Sequence, residues 1–227
     1  MNGTLYLAFN ENYQGNQNNY IATTTDGLNW SLYYISTGVN TIFSPSLAIN
    51  PADSSQLYVS YMSAETYTPI LCTLSTANLN TQSCQNLTFL HQMNFQPGMT
   101  FYNGLLYMGF EDRGNSHCLY FYQYNPSANS FSFWDPLTCG EQTSAAPALS
   151  VYNGDLFVAF RTNDSSNKFT VRISTDGNTL PYRQQPGFGM AGPGALVPVT
   201  SYQGSPAAPY LLNLYQYLNR LYYTYGQ

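Results

Sequence analysis

A short pattern of alternating large apolar and small residues recurs along this chain about every fifty residues. Alternation with a period of two after a tight turn is typical of a β-strand that leaves a hairpin. Strand-based repeats of this length favour a β-propeller, so we predict an all-β fold of four-stranded antiparallel blades. The four clear copies are Asn2-Gly-Thr-Leu-Tyr-Leu-Ala-Phe9, Ser54-Ser-Gln-Leu-Tyr-Val-Ser-Tyr61, Asn103-Gly-Leu-Leu-Tyr-Met-Gly-Phe110 and Asn153-Gly-Asp-Leu-Phe-Val-Ala-Phe160.

Each blade is predicted to contain strands A to D in chain order, with the recurring pattern as strand B. Segments that begin at Pro45, Pro97 and Pro147 precede strand B, and we interpret them as the inner strand A, which the proline opens. The last segment allows two assignments. Either residues 209–213 are strand A and 218–225 strand B, or 195–199 are strand A and the later segments B and C. Five blades are our first choice and four our second, in a single domain of residues 1–227.

Charged residues make up only 7% of the 227 residues, and the net charge is −5. Binding to nucleic acid needs many cations, so we exclude a nucleic-acid partner. No apolar run reaches membrane-spanning length, so we expect no membrane insertion. The oligomeric state is left open.

The four cysteines are placed almost symmetrically about two predicted hairpin turns. Cys72 and Cys84 flank a turn near Asn78, and Cys118 and Cys139 flank residues 126–129. Side chains placed in this way face each other across antiparallel strands, which favours disulfides 72–84 and 118–139 among three connectivities. Four free thiols are the alternative. Disulfides indicate an extracellular or cell-surface protein. Because the residues from Met1 onward already have a strand pattern, we expect no signal peptide in this sequence.

Two predicted C–D turns share a motif, Thr24-Thr-Asp26-Gly27-Leu-Asn-Trp30 and Ser174-Thr-Asp176-Gly177-Asn-Thr-Leu180. The Asp carboxylate would cap backbone amides, the Gly would adopt a positive φ, and the aromatic ring would pack beneath the turn. The motif resembles the Asp-box of sialidase-like β-propellers, although it has one residue fewer between Asp and Gly. The resemblance implies that Asp26, Gly27, Trp30, Asp176 and Gly177 are structural and not catalytic.

Catalytic sialidases also use three arginines, a Tyr–Glu nucleophile pair and an Asp acid, and this chain departs from that pattern. It lacks the Arg-Ile-Pro segment before the first turn, and its five arginines are distributed differently over the predicted blades. The starts of the inner strands hold Ser44, Gln96 and Ala146, where other five-bladed glycosidases carry acids. Without a pair of carboxylates in place for glycoside hydrolysis, we predict no catalytic residues and no enzyme activity.

The few charges concentrate in the predicted B–C loops. Asp, Glu and Arg suit sugar hydroxyls and aromatic rings suit the apolar sugar face, so we predict a carbohydrate site there. The alternative is that loops simply tolerate charge. The candidate ligand-binding residues are Glu11, Tyr13, Glu65, Tyr67, Glu111, Asp112, Arg113, Arg161 and Asp164.

The sequence therefore predicts a lectin-like propeller with repeated shallow sites for a glycan or glycoprotein. A protein-binding or structural propeller is the alternative, and a degenerate sialidase-like glycoside hydrolase is the third reading. We expect no cofactor and no zinc site, because His91 and His117 lack partners at ligand spacing. Calcium among Glu111, Asp112 and Asp164 is a further alternative.

Overall fold

The computed structural model describes residues 3–13, 16–114, 116–134, 136–137, 139–185, 195–199, 210–217 and 220–226. From residue 195 onward, and at residues 12–13 and 16–17, the description covers the backbone. The described residues form β-strands, turns and bends and include no helix. The chain has two compact units, Met1–Pro97 and Gly98–Gln227, and a single-domain organisation stays a prediction.

The strands follow one another with short connections in both units. The first unit contains β1 (Leu5–Tyr13), β2 (Asn16–Thr24), β3 (Ser31–Ile35), β4 (Thr41–Ile49), β5 (Gln56–Ser63), β6 (Pro69–Ser75) and β7 (Asn78–Asn86). The second unit begins with β8 (Gly98–Tyr102), β9 (Leu105–Glu111), β10 (Leu119–Asn125) and β11 (Ser130–Trp134). It continues with β12 (Ala148–Tyr152), β13 (Asp155–Arg161), β14 (Phe169–Ser174), β15 (Tyr182–Gln184), β16 (Ala195–Val199), β17 (Tyr210–Tyr217) and β18 (Arg220–Gly226).

These strands pair in chain order into separate antiparallel sheets. Three sheets have four strands, β4 to β7, β8 to β11 and β12 to β15, and two have three strands, β1 to β3 and β16 to β18. The predicted blade topology, in which each strand pairs with the next along the chain, is therefore confirmed. For the last sheet the assignment of strand A to residues 195–199 is confirmed, and the one that began at residue 209 is wrong.

In the four-stranded sheets the outermost strand is the most exposed. Strands β5 and β9 are buried along nearly their whole length, whereas β7, β11 and β15 are largely exposed. A strand buried on successive positions has apolar contacts on both faces of its sheet. The second strand of each complete sheet therefore lies between two packed layers.

Side chains from neighbouring sheets form the cores of both units. In the first unit, Ile21 and Ile35 pack with Leu57, Val59 and Tyr61. In the second unit, a cluster joins the sheet β8–β11 to the sheet β12–β15. Its aromatic members are Tyr102, Tyr107, Phe121, Trp134 and Phe160. Sheets within a unit thus stack face to face through aromatic and aliphatic side chains.

The prolines of the inner strands fit the prediction at two positions of three. Pro97 stands immediately before β8, and Pro147 stands immediately before β12. Pro45 instead lies inside β4, where the pairing with β5 shifts register between Ile42 and Ser46. A bulge leaves residues outside the ladder, so the missing N–H of this proline costs no ladder hydrogen bond.

Both predicted disulfides are confirmed. Cys72 and Cys84 are direct partners in the β6–β7 ladder, with Cα atoms 4.0 Å apart. Cys118 and Cys139 have Cα atoms 5.0 Å apart and connect the end of a B–C loop to the segment that follows β11. No cysteine is left free.

The two Asp-Gly turns have the same hydrogen-bond pattern. The Asp26 carboxylate accepts from the amides of Leu28 and Asn29, and the Asp176 carboxylate accepts from those of Asn178 and Thr179. Gly27 and Gly177 both have φ +74°. Trp30 is 42% exposed, so its ring is not packed beneath the turn, whereas Leu180 at the equivalent position is buried. The two turns therefore share the capped amides and the positive φ of the Gly, but not a packed aromatic ring.

Because these caps are carboxylates, the free energy of unfolding should depend on pH in the acid range. The amides of Thr179 and Asn178 lower the pKa of Asp176 to about 2, below its value in an unfolded chain. The stabilisation is therefore present above about pH 4 and is lost as the pH falls towards 2. We expect Asp176→Asn to flatten the dependence of the unfolding free energy on pH between about 4 and 2.

Urea unfolding at several pH values in that range tests this expectation. Ser127→Ala, an uncharged change in the exposed C–D turn of the preceding sheet, is the control and should keep the wild-type slope. Parallel pH curves for the wild type and Asp176→Asn would contradict the stated role of the carboxylate.

Candidate functional site

Three chain segments lie side by side at one edge of the second unit. The connection from β11 to β12 runs between the B–C loops that precede β10 and β14. Backbone amides of Leu119 and Asn163 donate to the carbonyls of Glu141 and Gln142, at 3.1 and 3.0 Å. The Thr143 amide donates to the His117 carbonyl at 2.9 Å. The loops thus form a hydrogen-bonded layer. Its centre is the connection from β11 to β12, which is called the D–A connection because it joins strand D of one sheet to strand A of the next.

A cleft of about 270 Å³ opens on this layer. It is bordered by the D–A connection, by the B–C loop after β13, and by one residue of the outer strand β15. Its lining combines carboxylate, guanidinium, amide and hydroxyl groups, which are the groups that bind sugar hydroxyls. The lining residues are Cys139, Gly140, Glu141, Gln142, Thr162, Asn163, Asp164 and Arg183.

Glu141 is the most buried charge in the cleft wall, and two arginines surround it. Its Oε1 atom accepts from Nε of Arg172 at 3.1 Å and from Nε of Arg183 at 2.9 Å, and the Arg172 Nη2 group also contacts it. The side chains of Glu141, Arg172 and Arg183 are 10%, 17% and 38% exposed. A carboxylate this buried needs such partners, so the pairs offset the cost of its desolvation.

Asp164, a predicted ligand-binding residue, lies in the same cleft but also holds its own loop. Its Oδ1 atom accepts from the Thr162 hydroxyl at 3.0 Å and from the amides of Ser166 and Asn167 at 2.9 and 3.0 Å. The hydrogen bond from the Ser166 side chain, followed by the weaker ones, lowers the pKa of Asp164. This exposed carboxylate is therefore charged at neutral pH.

Glu111, at the end of β9, forms a pair with His117 across its B–C loop. The Glu111 carboxylate is 2% exposed and its Oε1 atom lies 2.5 Å from Nδ1 of His117, whose side chain is 39% exposed. His117 has φ +51°, a backbone conformation that a side chain normally avoids. The other two predicted residues of this loop have different surroundings. Asp112 accepts hydrogen bonds from Gly114 and Ser116, and Arg113 is exposed.

Arg161 is directed at the D–A connection. Its Nε and Nη2 groups donate to the hydroxyl and the carbonyl of Ser144, at 2.8 and 2.7 Å. A guanidinium group that makes two such hydrogen bonds, here called the fork of Arg161, fixes two loops relative to each other. Arg161 therefore anchors the layer next to the cleft and is absent from the cleft lining.

Glu65 and Tyr67 lie in the B–C loop between β5 and β6, as predicted. Glu11 and Tyr13 instead lie inside strand β1, where they pair with β2, so the prediction of a loop at these two residues is wrong. Glu11 is exposed and accepts from the Asn18 side chain at 3.4 Å, and the Tyr13 side chain lies outside the described atoms. Glu65 is exposed, and Tyr67 is half-buried with φ +58°. The proposed repetition of one ligand site on every blade stays a prediction.

Sequence reasoning missed Glu141, Gln142 and Arg183. Glu141 and its partners are 31 and 42 residues apart in the chain, so no local spacing reveals the ion pairs. One signal in the sequence could have indicated the site. Glu141 is a lone acid in a D–A connection, in a chain that has few charged residues. Arg172, in strand β14, binds Glu141 and the Leu180 carbonyl.

Two features are absent from the described residues. No helix among them is long and apolar enough to cross a membrane. In the same part of the chain, no three side chains of His, Cys, Asp or Glu are grouped so that they could hold a metal ion.

Comparison with solved structures identifies the fold. The chain is similar to a sialidase from Trypanosoma rangeli in complex with the inhibitor DANA, with a TM-score of 0.66 and 13% identity. That match covers 99% of this chain and 45% of the sialidase, so the chain spans less than half of that protein.

Two arabinofuranosidases give similar matches. A mutant α-L-arabinofuranosidase from Fusarium graminearum, in complex with an iminosugar inhibitor, has a TM-score of 0.67 at 13% identity, covering 93% of this chain and 73% of the other. An α-L-arabinofuranosidase from Clostridium thermocellum has a TM-score of 0.59 at 13% identity, covering 95% and 79%. No protein-family model and no curated protein sequence matches the chain.

These matches confirm the β-propeller class and correct two predictions. The matching structures named above are a sialidase and two arabinofuranosidases, and such structures have been solved with sialic acid or an iminosugar inhibitor bound. The prediction of a lectin, with a protein-binding propeller as its alternative, is contradicted by this finding. The prediction of no enzyme activity is contradicted by the same finding.

The two ion pairs of Glu141 should differ in strength. We expect Arg172→Gln to lower the unfolding free energy by about 1–3 kcal/mol, because it removes the more buried donor from a buried carboxylate. Arg183→Gln removes a half-exposed partner and should cost about 1 kcal/mol or less. Urea unfolding measures both values.

A double-mutant cycle with Glu141→Gln is the control for this comparison. The cost of Arg172→Gln should shrink once the carboxylate is gone, because the remaining partner no longer carries an uncompensated charge. Equal costs in both backgrounds would show that Arg172 acts through packing alone.

Proposed function

We propose that this chain is a glycoside hydrolase and that its glycan substrate binds in the cleft between Glu141, Asp164 and Arg183. The observation that supports this most directly is the cleft itself, in which two carboxylates and a guanidinium face one opening. Enzymes that cleave glycosidic bonds commonly act through a pair of carboxylates, and this cleft supplies two in a chain with only eleven acids.

The chemistry of the lining suits a sugar. Planar guanidinium and carboxylate groups bind vicinal hydroxyls in pairs, and the amides of Gln142 and Asn163 add both donors and acceptors. Arg172 and Arg183 hold Glu141 in one position, which is the condition for a carboxylate to activate a water molecule or to stabilise positive charge on the sugar ring. We assign this role to Glu141.

The predicted surroundings of the protein agree with such an activity. Two disulfides suit an extracellular or cell-surface location, where glycans and glycoproteins are abundant. We also propose that the capped turns at Asp26 and Asp176 are shortened Asp-box turns, which preserve the fold and take no part in the reaction.

The test is hydrolysis of a panel of fluorogenic glycosides by the whole chain. The panel contains sialoside, arabinofuranoside, galactoside and xyloside, which are the sugars of the enzymes with this fold. We expect turnover of at least one, and a loss of about 100-fold or more in kcat/KM for Glu141→Gln. The variant keeps the size of the side chain, and circular dichroism checks that it folds.

Asp155→Asn is the matched control, because this acid lies at the opposite end of strand β13, in the A–B turn. It should keep wild-type activity. A folded wild-type chain that hydrolyses none of these glycosides, or a Glu141→Gln variant as active as Asp155→Asn, would refute the proposal.

A further inference from the structure

One face of the sheet β1–β3 has the composition of a packed interface, although much of it is exposed. We propose that this face is an interaction surface and that its partner is the same face of a second copy of this chain. The inference does not depend on the proposed function, because none of these residues lines the cleft. The open face, as it is called here, consists of Leu5, Leu7, Phe9, Tyr20, Leu32 and Tyr34.

Strand pairing places these side chains on one side of the sheet. Leu7 of β1 is the direct partner of Ala22 in β2, which is in turn the direct partner of Leu32 in β3. Direct partners in an antiparallel ladder point to the same face, and the face alternates from one residue to the next along each strand. The opposite face of the sheet contains Ile21 and Ile35, which pack in the core of the first unit. The sheet thus has one covered face and one open face.

An aromatic row lies beside the row of Leu7 and Leu32 on the open face. Phe9, Tyr20 and Tyr34 are direct partners two residues further along the ladder. The rings of Phe9 and Tyr20 are stacked with centroids 5.7 Å apart, and the rings of Tyr20 and Tyr34 meet edge to face at 5.9 Å. The two rows therefore form a continuous apolar surface across three strands.

The other copies of the recurring pattern show how these positions are used elsewhere in the chain. Leu5, Leu7 and Phe9 are the three large apolar residues of the first copy. Their equivalents in the second, third and fourth copies are 0–1% exposed, whereas Leu5 is 58% and Leu7 is 50% exposed. In each of those three copies, packed side chains therefore cover these positions. The equivalents are Leu57, Val59 and Tyr61, then Leu106, Met108 and Phe110, and finally Leu156, Val158 and Phe160.

The covered copies also identify the kind of partner. In the first unit, the equivalent residues of β5 pack with Ile21 and Ile35 of the sheet β1–β3. In the second unit, Leu156, Val158 and Phe160 pack with the sheet β8–β11. The cover is in both cases the face of another antiparallel sheet. The open face therefore fits a partner that presents an apolar β-sheet face, with the two sheets about 10 Å apart.

A second copy of the chain presents such a face with a suitable area. A large apolar side chain exposes on the order of 200 Å² in an extended chain, so the six side chains together expose roughly 500 Å². A standard interface buries about 800 Å² on each partner, and somewhat more than half of that area is apolar. The open face supplies this apolar part.

The distribution of charge allows two identical faces to meet. Glu11 is the only charged residue in the sequences of β1, β2 and β3, and it lies in the row beyond Phe9 and Tyr20. The centre of the open face is thus uncharged. A two-fold axis through this centre would bring leucine and aromatic side chains together and keep the carboxylates at the rim.

Sedimentation equilibrium of the whole chain tests this inference. We expect the wild type to form a dimer with a Kd of about 10 µM or below. Leu7→Lys should weaken the dimer by about 100-fold or more, because a two-fold interface contains each substitution twice and both charges would be buried. Because the Leu7 side chain is half-exposed in the single chain, this variant should fold normally, which circular dichroism verifies.

Phe89→Lys is the matched control, because it places the same charge at another exposed apolar residue, between β7 and β8, and it should keep the wild-type Kd. An equimolar mixture of Leu7→Lys and Leu7→Glu should dimerise again, since opposite charges attract when the face pairs with itself.

Three outcomes would overturn the inference. The first is a wild-type chain that is monomeric at about 100 µM, where a Kd of about 10 µM predicts mostly dimer. The second is an equal Kd for Leu7→Lys and Phe89→Lys, which would place the dimer interface elsewhere. The third is a mixture of the two Leu7 variants that stays monomeric. Glycoside hydrolysis is measured separately, so none of these outcomes refutes the proposed function.

Discussion

The structure depends on the burial of both faces of its β-sheets. Strands such as β5 and β9 expose almost no side chain, so each sheet needs a partner on either side. The short pattern Leu-Tyr-x-x-Phe satisfies this requirement because its large residues fill one face and its small residues accept the next sheet. Gly109 illustrates the second function, since a Cβ atom there would meet the Phe121 ring at 2.8 Å. Stacked sheets in turn bring their connecting loops to common edges. Polar and charged side chains from different loops can come together at these edges.

At one of these edges, the D–A connection of the second unit concentrates most of the available polar chemistry. It is paired with a B–C loop on each side, fastened by the disulfide 118–139, and anchored by the fork of Arg161 on Ser144. Each constraint uses a different kind of interaction. Together they hold the connection in place without regular secondary structure. A cleft bordered by such a connection keeps its shape, which suits a site that must orient a substrate.

The sequence predicted the parts of the fold that repeat. The alternation of large apolar and small residues located the strands, and symmetry about the hairpin turns predicted both disulfides. An antiparallel ladder places Cys72 opposite Cys84, whereas Cys118 and Cys139 meet just beyond the paired ends of β10 and β11. For the last sheet the sequence left two assignments open, and the one with residues 195–199 as strand A is confirmed. The cleft could not be predicted. Glu141 meets Arg172 and Arg183 only through the stacking of two sheets, and the approach of distant residues leaves no periodic signal.

The functional prediction failed for a related reason. Sequence reasoning searched for acids at the starts of the inner strands, found Ser44, Gln96 and Ala146, and concluded that the fold carried no catalysis. Yet a propeller edge offers other positions, and the described acids that are buried, Glu111 and Glu141, both lie on loops or strand ends of the same layer. Burial of a charge is costly, and a chain with 7% charged residues has little reason to bury two of them for stability alone. Glu111 contacts a histidine, and Glu141 contacts two arginines. The two partners differ in kind, because an arginine carries a permanent charge whereas the charge of a histidine depends on its protonation.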